Sequence, residues 1–354
     1  MENGVANVAN AIVGSGFEIH VCTLRNRGEF AARMPDPSLV VSLDKEPGFS
    51  VRWIRRLRRQ MLTISPDLVH THNLGPLIYS VCATGFGRTY PILHGEHAEL
   101  APAETSRKKI LLRRFLYRAC RRIHTVSASL TEHLASSGMP RDRMETITNG
   151  VDTLRFSPDG ATENPFGENL EELTVIGNVG RFGEFKRHLE LIEAFENLAP
   201  RHEGLRLLLV GDGGPVKAAT LERIERSSFA DRIRWAGYQA EPAPFYRAMD
   251  ILVVPSSNEG LSNASLEAIA CGTPVLANDS CGAREVIEGD DVGAVASMDG
   301  VAGIEIAIES MLRDEVKLAS MRATARAHAE KRFSLSAMAD RYRKLYDRCS
   351  KRRA

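Results

Sequence analysis

Short apolar runs alternate with longer amphipathic stretches along the whole chain. Residues 18–24, 68–71, 91–94, 123–127 and 144–148 are compact apolar runs that predict strands. Apolar positions recurring at helical spacing predict helices between them, near 5–14, 51–63, 76–84, 107–120 and 128–137. The alternation then begins again. Runs at 173–179, 205–210, 233–236, 251–254 and 274–277 are continuously apolar, as parallel strands covered on both faces must be. Helical patterns separate them near 187–199, 216–228, 243–248 and 263–271. Two successive strand–helix series predict an α/β protein of two doubly wound, Rossmann-like domains. Beyond residue 300 the pattern is almost wholly helical and ends in an amphipathic helix at 336–348.

Turn formers mark the boundary. Asn149-Gly150-Val151-Asp152 and the aperiodic stretch 156–167 predict a first domain at 1–150, a linker at 151–168 and a second domain at 169–330. The terminal segment 331–354 is expected to pack back on the first domain. One irregularity stands out at the start. A doubly wound domain opens with a central strand feeding a glycine turn, whereas this chain opens in helix 5–14. The first strand, some 15 to 20 residues with its turn, is therefore expected to be absent.

Composition narrows the class. With 43% hydrophobic and 26% charged residues, 354 residues suffice for two cored domains and exclude a disordered or disulfide-stapled chain. The six cysteines (Cys22, Cys82, Cys120, Cys271, Cys281, Cys349) form no C-x-x-C pair and read as small buried hydrophobes in a reducing compartment. Without a signal-like start or an apolar run of membrane-spanning length, a cytoplasmic location is expected. The net charge of +1 conceals an asymmetry: residues 1–150 carry 20 basic against 13 acidic side chains, and the rest 26 against 32. Much of the basic excess lies in Arg52, Arg55, Arg56, Arg58 and Arg59, and in the stretch from Arg107 to Arg122. Such runs are commonly solvated helix faces. Interleaved with Trp53, Ile54, Leu57, Met61 and Leu62, the first also suits an anionic bilayer surface, and peripheral contact with the inner face of the cell membrane is an expectation of equal weight. No stacking aromatics accompany the basic runs as nucleic acid would require.

The glycine clusters do not make a dinucleotide site. Gly211-Asp212-Gly213-Gly214 follows a strand, but G-x-G-x-x-G would need glycine where Val216 stands. The segment from Pro255 to Ala268 is more informative. It leads from a strand into a helix capped by Ser262 or Asn263, whose free amides and dipole favour an anion such as a diphosphate. Glu259 in the loop and Glu267 in the helix can accept hydrogen bonds from vicinal hydroxyls. Arg181 and Lys186, after the domain's first strand, supply cations at the same sheet edge. A surface loop beside a solvated helix face is the plain alternative for any one of these residues. Their joint placement at one edge argues against it.

Taken together, Asn149-Gly150-Val151-Asp152, Gly180-Arg181 with Lys186, Val210-Gly211-Asp212-Gly213, Pro255-Ser256, Glu259-Gly260 through Glu267, and Gly272-Thr273-Pro274-Val275 resemble the retaining GT-B glycosyltransferases of the family 4 type. The resemblance runs over essentially the whole chain. It implies two Rossmann-like domains facing across a cleft and a nucleotide-diphosphate sugar, UDP- or GDP-linked, as co-substrate, with no resident cofactor and no metal. It further implies that Glu267 binds the ribose, Glu259 the donor sugar, and Arg181 and Lys186 the diphosphate. Gly211 and the amides of Gly260, Leu261, Ser262 and Asn263 would assist. The acceptor would be a glycan or lipid-linked sugar in bacterial surface or exopolysaccharide synthesis. A sucrose- or trehalose-type synthase with a soluble acceptor, and a non-catalytic nucleotide-sugar binder, are the alternatives.

Four histidines cluster in the first domain sequence: His70, His72, His94 and His97. Strand alternation puts His70 and His72 on one face, but no third well-spaced carboxylate or cysteine joins them, and zinc is not expected. By the resemblance, His94 would contact the donor sugar. The alternative is a hydrogen-bonded strand-end histidine. His72, Glu96 and Ser127 are secondary candidates for acceptor contacts.

Overall fold

The computed structural model describes residues 2–97, 100, 105–280, 282–287 and 291–350. They divide into two compact units, 1–150 with 335–354, and 151–334. Residues 151–168 thus belong to the second unit.

Unit 1 runs α1 (Glu2–Ile12), β1 (Val21–Thr23), β2 (Val40–Ser42), α2 (Val51–Ile64), β3 (Val69–His72), α3 (Leu74–Ala83), β4 (Ile92–Glu96), α4 (Arg107–Tyr117), β5 (Cys120–Thr125), α5 (Ala128–Ser136) and β6 (Met144–Thr146). All its strand pairings are parallel, but the strands form two separate sheets, β1-β2 and β3-β4-β5-β6. β1 and β3 each have a strand partner on one side only, and both border a cavity of about 480 Å³ between α1 and α2.

Unit 2 runs β7 (Thr174–Val179), α6 (His188–Leu198), β8 (Leu205–Val210), α7 (Lys217–Glu225), β9 (Ile233–Trp235), α8 (Ala243–Arg247), β10 (Ile251–Val254), α9 (Asn263–Ala270), β11 (Val275–Asn278), α10 (Ala283–Val286), β12 (Gly293–Ala296), α11 (Gly300–Leu312) and α12 (Glu315–Phe333). The closing helix α13 (Leu335–Ser350) returns to unit 1. There it packs on α1, where Val8 and Ile12 meet Met338, Tyr342 and Leu345 over Leu93 of the sheet.

The apolar runs of unit 2 form one parallel sheet in the order β12-β11-β10-β7-β8-β9. Continuous burial along β8 and β10 follows from helices on both faces. α6 and α11 pack together over one part of the sheet, where Leu191, Phe195, Ile304 and Ile308 meet Ile176, Leu207 and Val253. α9 and α12 pack against each other as well. The cysteines divide: Cys120, Cys271 and Cys349 are buried thiols, whereas Cys22 and Cys82 are exposed, so burial was the wrong expectation for those two. Cys281 lies outside the described residues.

Candidate functional site

In unit 2 the strand order reverses between β7 and β10. Chain leaving these neighbours departs in opposite directions, and a crevice opens beyond their carboxyl ends. Arg181 and Lys186 lie on the loop after β7, and Glu259 to Ser262 on the loop after β10. Asn263 starts α9, and Glu267 stands on its second turn.

Close backbone approach holds the loops in place. The Gly180 amide donates to the Val210 carbonyl at 2.9 Å and the Phe182 amide to Gly213 at 2.9 Å. A Cβ on Gly211, at φ +137°, would lie 2.1 Å from the Gly180 carbonyl oxygen, so no other residue fits there. The Gly211 amide donates to Gly237, and its carbonyl accepts from Trp235 Nε1 at 2.8 Å. Both main-chain groups of Gly211 are therefore occupied. It locks loop to loop. On the β10 side, Arg187 Nη1 donates to the carbonyls of Pro255 at 3.2 Å and Met298 at 2.6 Å, and Asn278 Nδ2 to that of Ser256 at 3.1 Å. These braces were not foreseen, because they join residues 68 or more apart in most cases and no local motif announces them.

The loops bring opposite charges together. Lys186 Nζ donates to Glu259 Oε1 at 2.7 Å, with the two side chains only 12% and 18% exposed. The Lys186 stem lies alongside Gly180, at van der Waals distance. The other carboxylate oxygen, Glu259 Oε2, is buried and accepts nothing, and Ser256 Oγ and Asn258 Oδ1 beside it are likewise buried without a partner. Proteins leave such atoms unpaired rarely. Three such atoms fall within residues 256–259 of the loop after β10. Arg181 is exposed and, among the described residues, forms no ion pair.

Glu267 Oε2 accepts from the buried Tyr246 hydroxyl at 2.8 Å. Burial first, and then the Glu267 charge, push this phenol well above its ordinary range; Glu259 adds a smaller push. Tyr246 thus stays a donor and fixes one Glu267 oxygen. Ser262 Oγ accepts from the Ser265 amide at 3.3 Å and caps α9, while Gly260 and Leu261 are buried beneath the cap. His188 is buried against Phe182. Burial, with the Lys186 charge adding to it, pulls its imidazole down to about 4, and the ring adds no cation to the crevice.

In unit 1 the structure revises several expectations. His94 is wholly buried, with Nδ1 2.8 Å from Thr71 Oγ1 and Nε2 3.1 Å from Glu96 Oε1. Both nitrogens have partners inside the unit, the arrangement of a strand-end hydrogen-bonding histidine. Glu96 is buried too and ion-paired to Arg113, with Tyr117 donating to it. Burial alone would raise its carboxyl; His94, Arg113 and Tyr117 outweigh that and hold it below its ordinary value. Ser127 is buried and caps α5, accepting from the Leu130 amide at 3.1 Å. His70 and His72 instead join His124 and His97 in a ring cluster that the spacing did not reveal.

The basic helices are also reassigned. Trp53, Leu57 and Met61 of α2 pack inward with Leu43, Tyr79 and Ala83, so most of the apolar stripe belongs to the core, and Val51 and Leu62 are the large apolar side chains left exposed beside the arginines. α4 is the reverse. It exposes Leu111, Leu112 and Phe115 beside Arg107, Lys108 and Lys109, while Arg113 points inward. Among the described residues, no helix is long and apolar enough to cross a membrane.

Comparison with known proteins accords with this geometry. Residues 1–155 match the model of Glycosyltransferase Family 4 and residues 174–314 that of Glycosyl transferases group 1. The chain is 25% identical over 289 residues to N-acetyl-alpha-D-glucosaminyl L-malate synthase of Bacillus anthracis, covering 79% of this chain and 74% of that protein. It is 28% identical over 306 residues to D-inositol 3-phosphate glycosyltransferase of Gordonia bronchialis, covering 80% and 66%. It is 24% identical over 236 residues to the capsular polysaccharide biosynthesis glycosyltransferase CapM of Staphylococcus aureus, covering 64% and 61%. The chain thus spans less than two thirds of the length of the last two relatives. Anabaena HepE, solved with UDP and glucose, superposes with a TM-score of 0.82 at 19% identity, over 98% of this chain and 95% of that one. The fold is therefore GT-B, with two Rossmann-like domains.

Proposed function

We propose, for a chain that belongs to the glycosyltransferases of family 4 and group 1, that it moves a sugar from a nucleotide-diphosphate donor to a glycan or lipid-linked acceptor in surface or exopolysaccharide synthesis. The observation that carries this reading is the Lys186–Glu259 pair at the switch point, with Glu259 Oε2 buried and unpaired. That oxygen can take a hydrogen bond from a donor-sugar hydroxyl. Glu267, one oxygen fixed by Tyr246, presents its carboxylate to the ribose hydroxyls.

The diphosphate would sit between Arg181 and Lys186. An ammonium has three donors; Lys186 gives one to Glu259 and keeps the others for phosphate oxygens. As the bond between sugar and phosphate breaks, negative charge grows on the departing nucleoside diphosphate. Preorganised cations bind that charge more strongly in the transition state than in the ground state. With this work done by side chains, the donor chemistry needs no divalent ion. No second carboxylate in the crevice is nominated as a nucleophile, and the reaction would retain configuration by front-face departure and attack.

Membrane contact, if the acceptor is lipid-linked, falls to the Leu111–Phe115 face of α4 and not to α2. A second reading, a small soluble acceptor, is favoured by the relatives named for L-malate and inositol 3-phosphate. Calorimetry with uridine, guanosine and adenosine diphosphates tests the donor half. One of the three should bind, and Glu267→Ala should weaken that binding at least tenfold; unchanged affinity would remove Glu267 from the site.

A further inference from the structure

We propose that His70, His72 and His124, with His97 as the fourth donor, form a half-buried binding site in unit 1 for a divalent transition ion of the zinc class. The argument begins with placement. His70 and His72 stand two residues apart on β3 and project to one face, with their rings 4.2 Å apart. His124 comes from β5, which is separated from β3 by β4. At the crossing point β4 carries Gly95. A Cβ there would lie 2.3 Å from His124 Nε2 and 2.9 Å from His72 Nδ1. The missing side chain is what lets imidazoles from non-neighbouring strands meet.

The donors converge in two pairs. His70 Nε2 lies 2.9 Å from His124 Nε2, and His72 Nδ1 lies 2.7 Å from His97 Nε2. One nitrogen from each of His70, His72 and His124 falls within 4.8 Å of the other two. Around a tetrahedral ion with metal–nitrogen bonds of about 2.0–2.1 Å, donor atoms stand roughly 3.3 Å apart. Opening each pair by a few tenths of an ångström and drawing the two pairs together would seat the ion. Imidazole nitrogens suit zinc, cobalt, nickel and copper, and do not suit magnesium or calcium.

Two surrounding features favour ligation. The Tyr346 hydroxyl lies 3.0 Å from His70 Nδ1, which fixes that ring and directs Nε2 to the centre. His70, His72 and His97 line the cavity between α1 and α2, which gives an ion a way in. The site uses residues of unit 1 alone, and the inference does not depend on the function proposed above.

The test is equilibrium dialysis of the full chain, stripped with chelator, against zinc and then cobalt chloride. One saturable equivalent of zinc per chain is expected. Cobalt should give the intense visible bands of a four-coordinate centre, without the near-ultraviolet charge transfer of a thiolate ligand, a readout that needs no variant. His70→Asn and His124→Asn should each weaken zinc binding at least tenfold, while His202→Asn, at the Glu309 ion pair elsewhere, should leave it unchanged. Circular dichroism checks that each variant is folded. Absence of a saturable equivalent in the unmodified chain, thiolate bands with cobalt, or folded His70→Asn and His124→Asn chains that bind as the parent does would each overturn the proposal.

Discussion

Replacing Lys186 by Met keeps the aliphatic stem against Gly180 and removes the charge that Glu259 faces. The carboxylate is then left with neither oxygen paired, since Oε2 already has no partner. Breaking a fully buried ion pair by deleting one member costs about 3–5 kcal/mol. Here the side chains are 12% and 18% exposed and open to the crevice, so water recovers part of that cost and about 1–2 kcal/mol remains. Glu259→Gln alone should cost less, because the amide still offers Lys186 an acceptor oxygen. In the double variant no uncompensated charge remains beside the crevice wall, so the combined loss should fall short of the sum by about 1 kcal/mol or more. Urea unfolding followed by tryptophan fluorescence measures this. The chain has two tryptophans, Trp53 in unit 1 and Trp235 in unit 2, so a Trp53→Phe background makes the signal report unit 2 alone. Additivity within about 0.5 kcal/mol would show that the two residues do not act as a pair, and the reading of the crevice would fail.

Two further outcomes follow from buried or exposed groups. His188 is neutral in the folded chain, with its pKa lowered from 6.5 to about 4, so the unfolded chain binds its proton first. Unit 2 should therefore lose stability as pH falls from about 6.5 to about 4, by on the order of 3 kcal/mol in all. His188→Phe should flatten that part of the urea-midpoint profile, and an unchanged profile would assign the acid sensitivity elsewhere. On α4, Leu111→Glu with Phe115→Glu should weaken binding to anionic vesicles at least tenfold at low salt, measured by co-sedimentation, whereas Arg55→Gln with Arg59→Gln on α2 should have a smaller effect. Equal binding by all chains would remove α4 as the docking face.

Legibility in the sequence followed how local each determinant is. Continuous apolar runs such as 205–210 and 251–254 can be nothing but covered parallel strands in a chain that also shows helical periodicity, and both were readable. The placement of Arg181, Lys186 and Glu259 on the loops after β7 and β10 was readable for a related reason: each follows a strand within seven residues, and strand ends in such sheets meet at one edge. What stayed hidden was everything set by a third partner. The close contact of Gly211 with the Gly180 carbonyl joins two loops and has no local motif. The third imidazole beside His70 and His72, that of His124, comes from β5 across Gly95 of the strand between, and no spacing announces it. The α2 stripe of Trp53, Leu57 and Met61 was sound as an amphipathic signal, but a pattern of that kind cannot say whether core or bilayer covers the apolar face. Braces such as Arg187 to Met298 span more than a hundred residues and have no sequence signature.

The central claim is that Arg181, Lys186 and Glu259 form the donor-sugar end of a glycosyl-transfer site. Its most direct test is nucleoside diphosphate release from UDP-, GDP- and ADP-linked sugars by the full chain, without added magnesium or manganese. One nucleotide class should support turnover, and Arg181→Ala should lower that turnover by about 100- to 1000-fold, the effect of removing one preorganised charge from a transition state. Release from none of the donors, or full turnover in the Arg181→Ala chain, would contradict it.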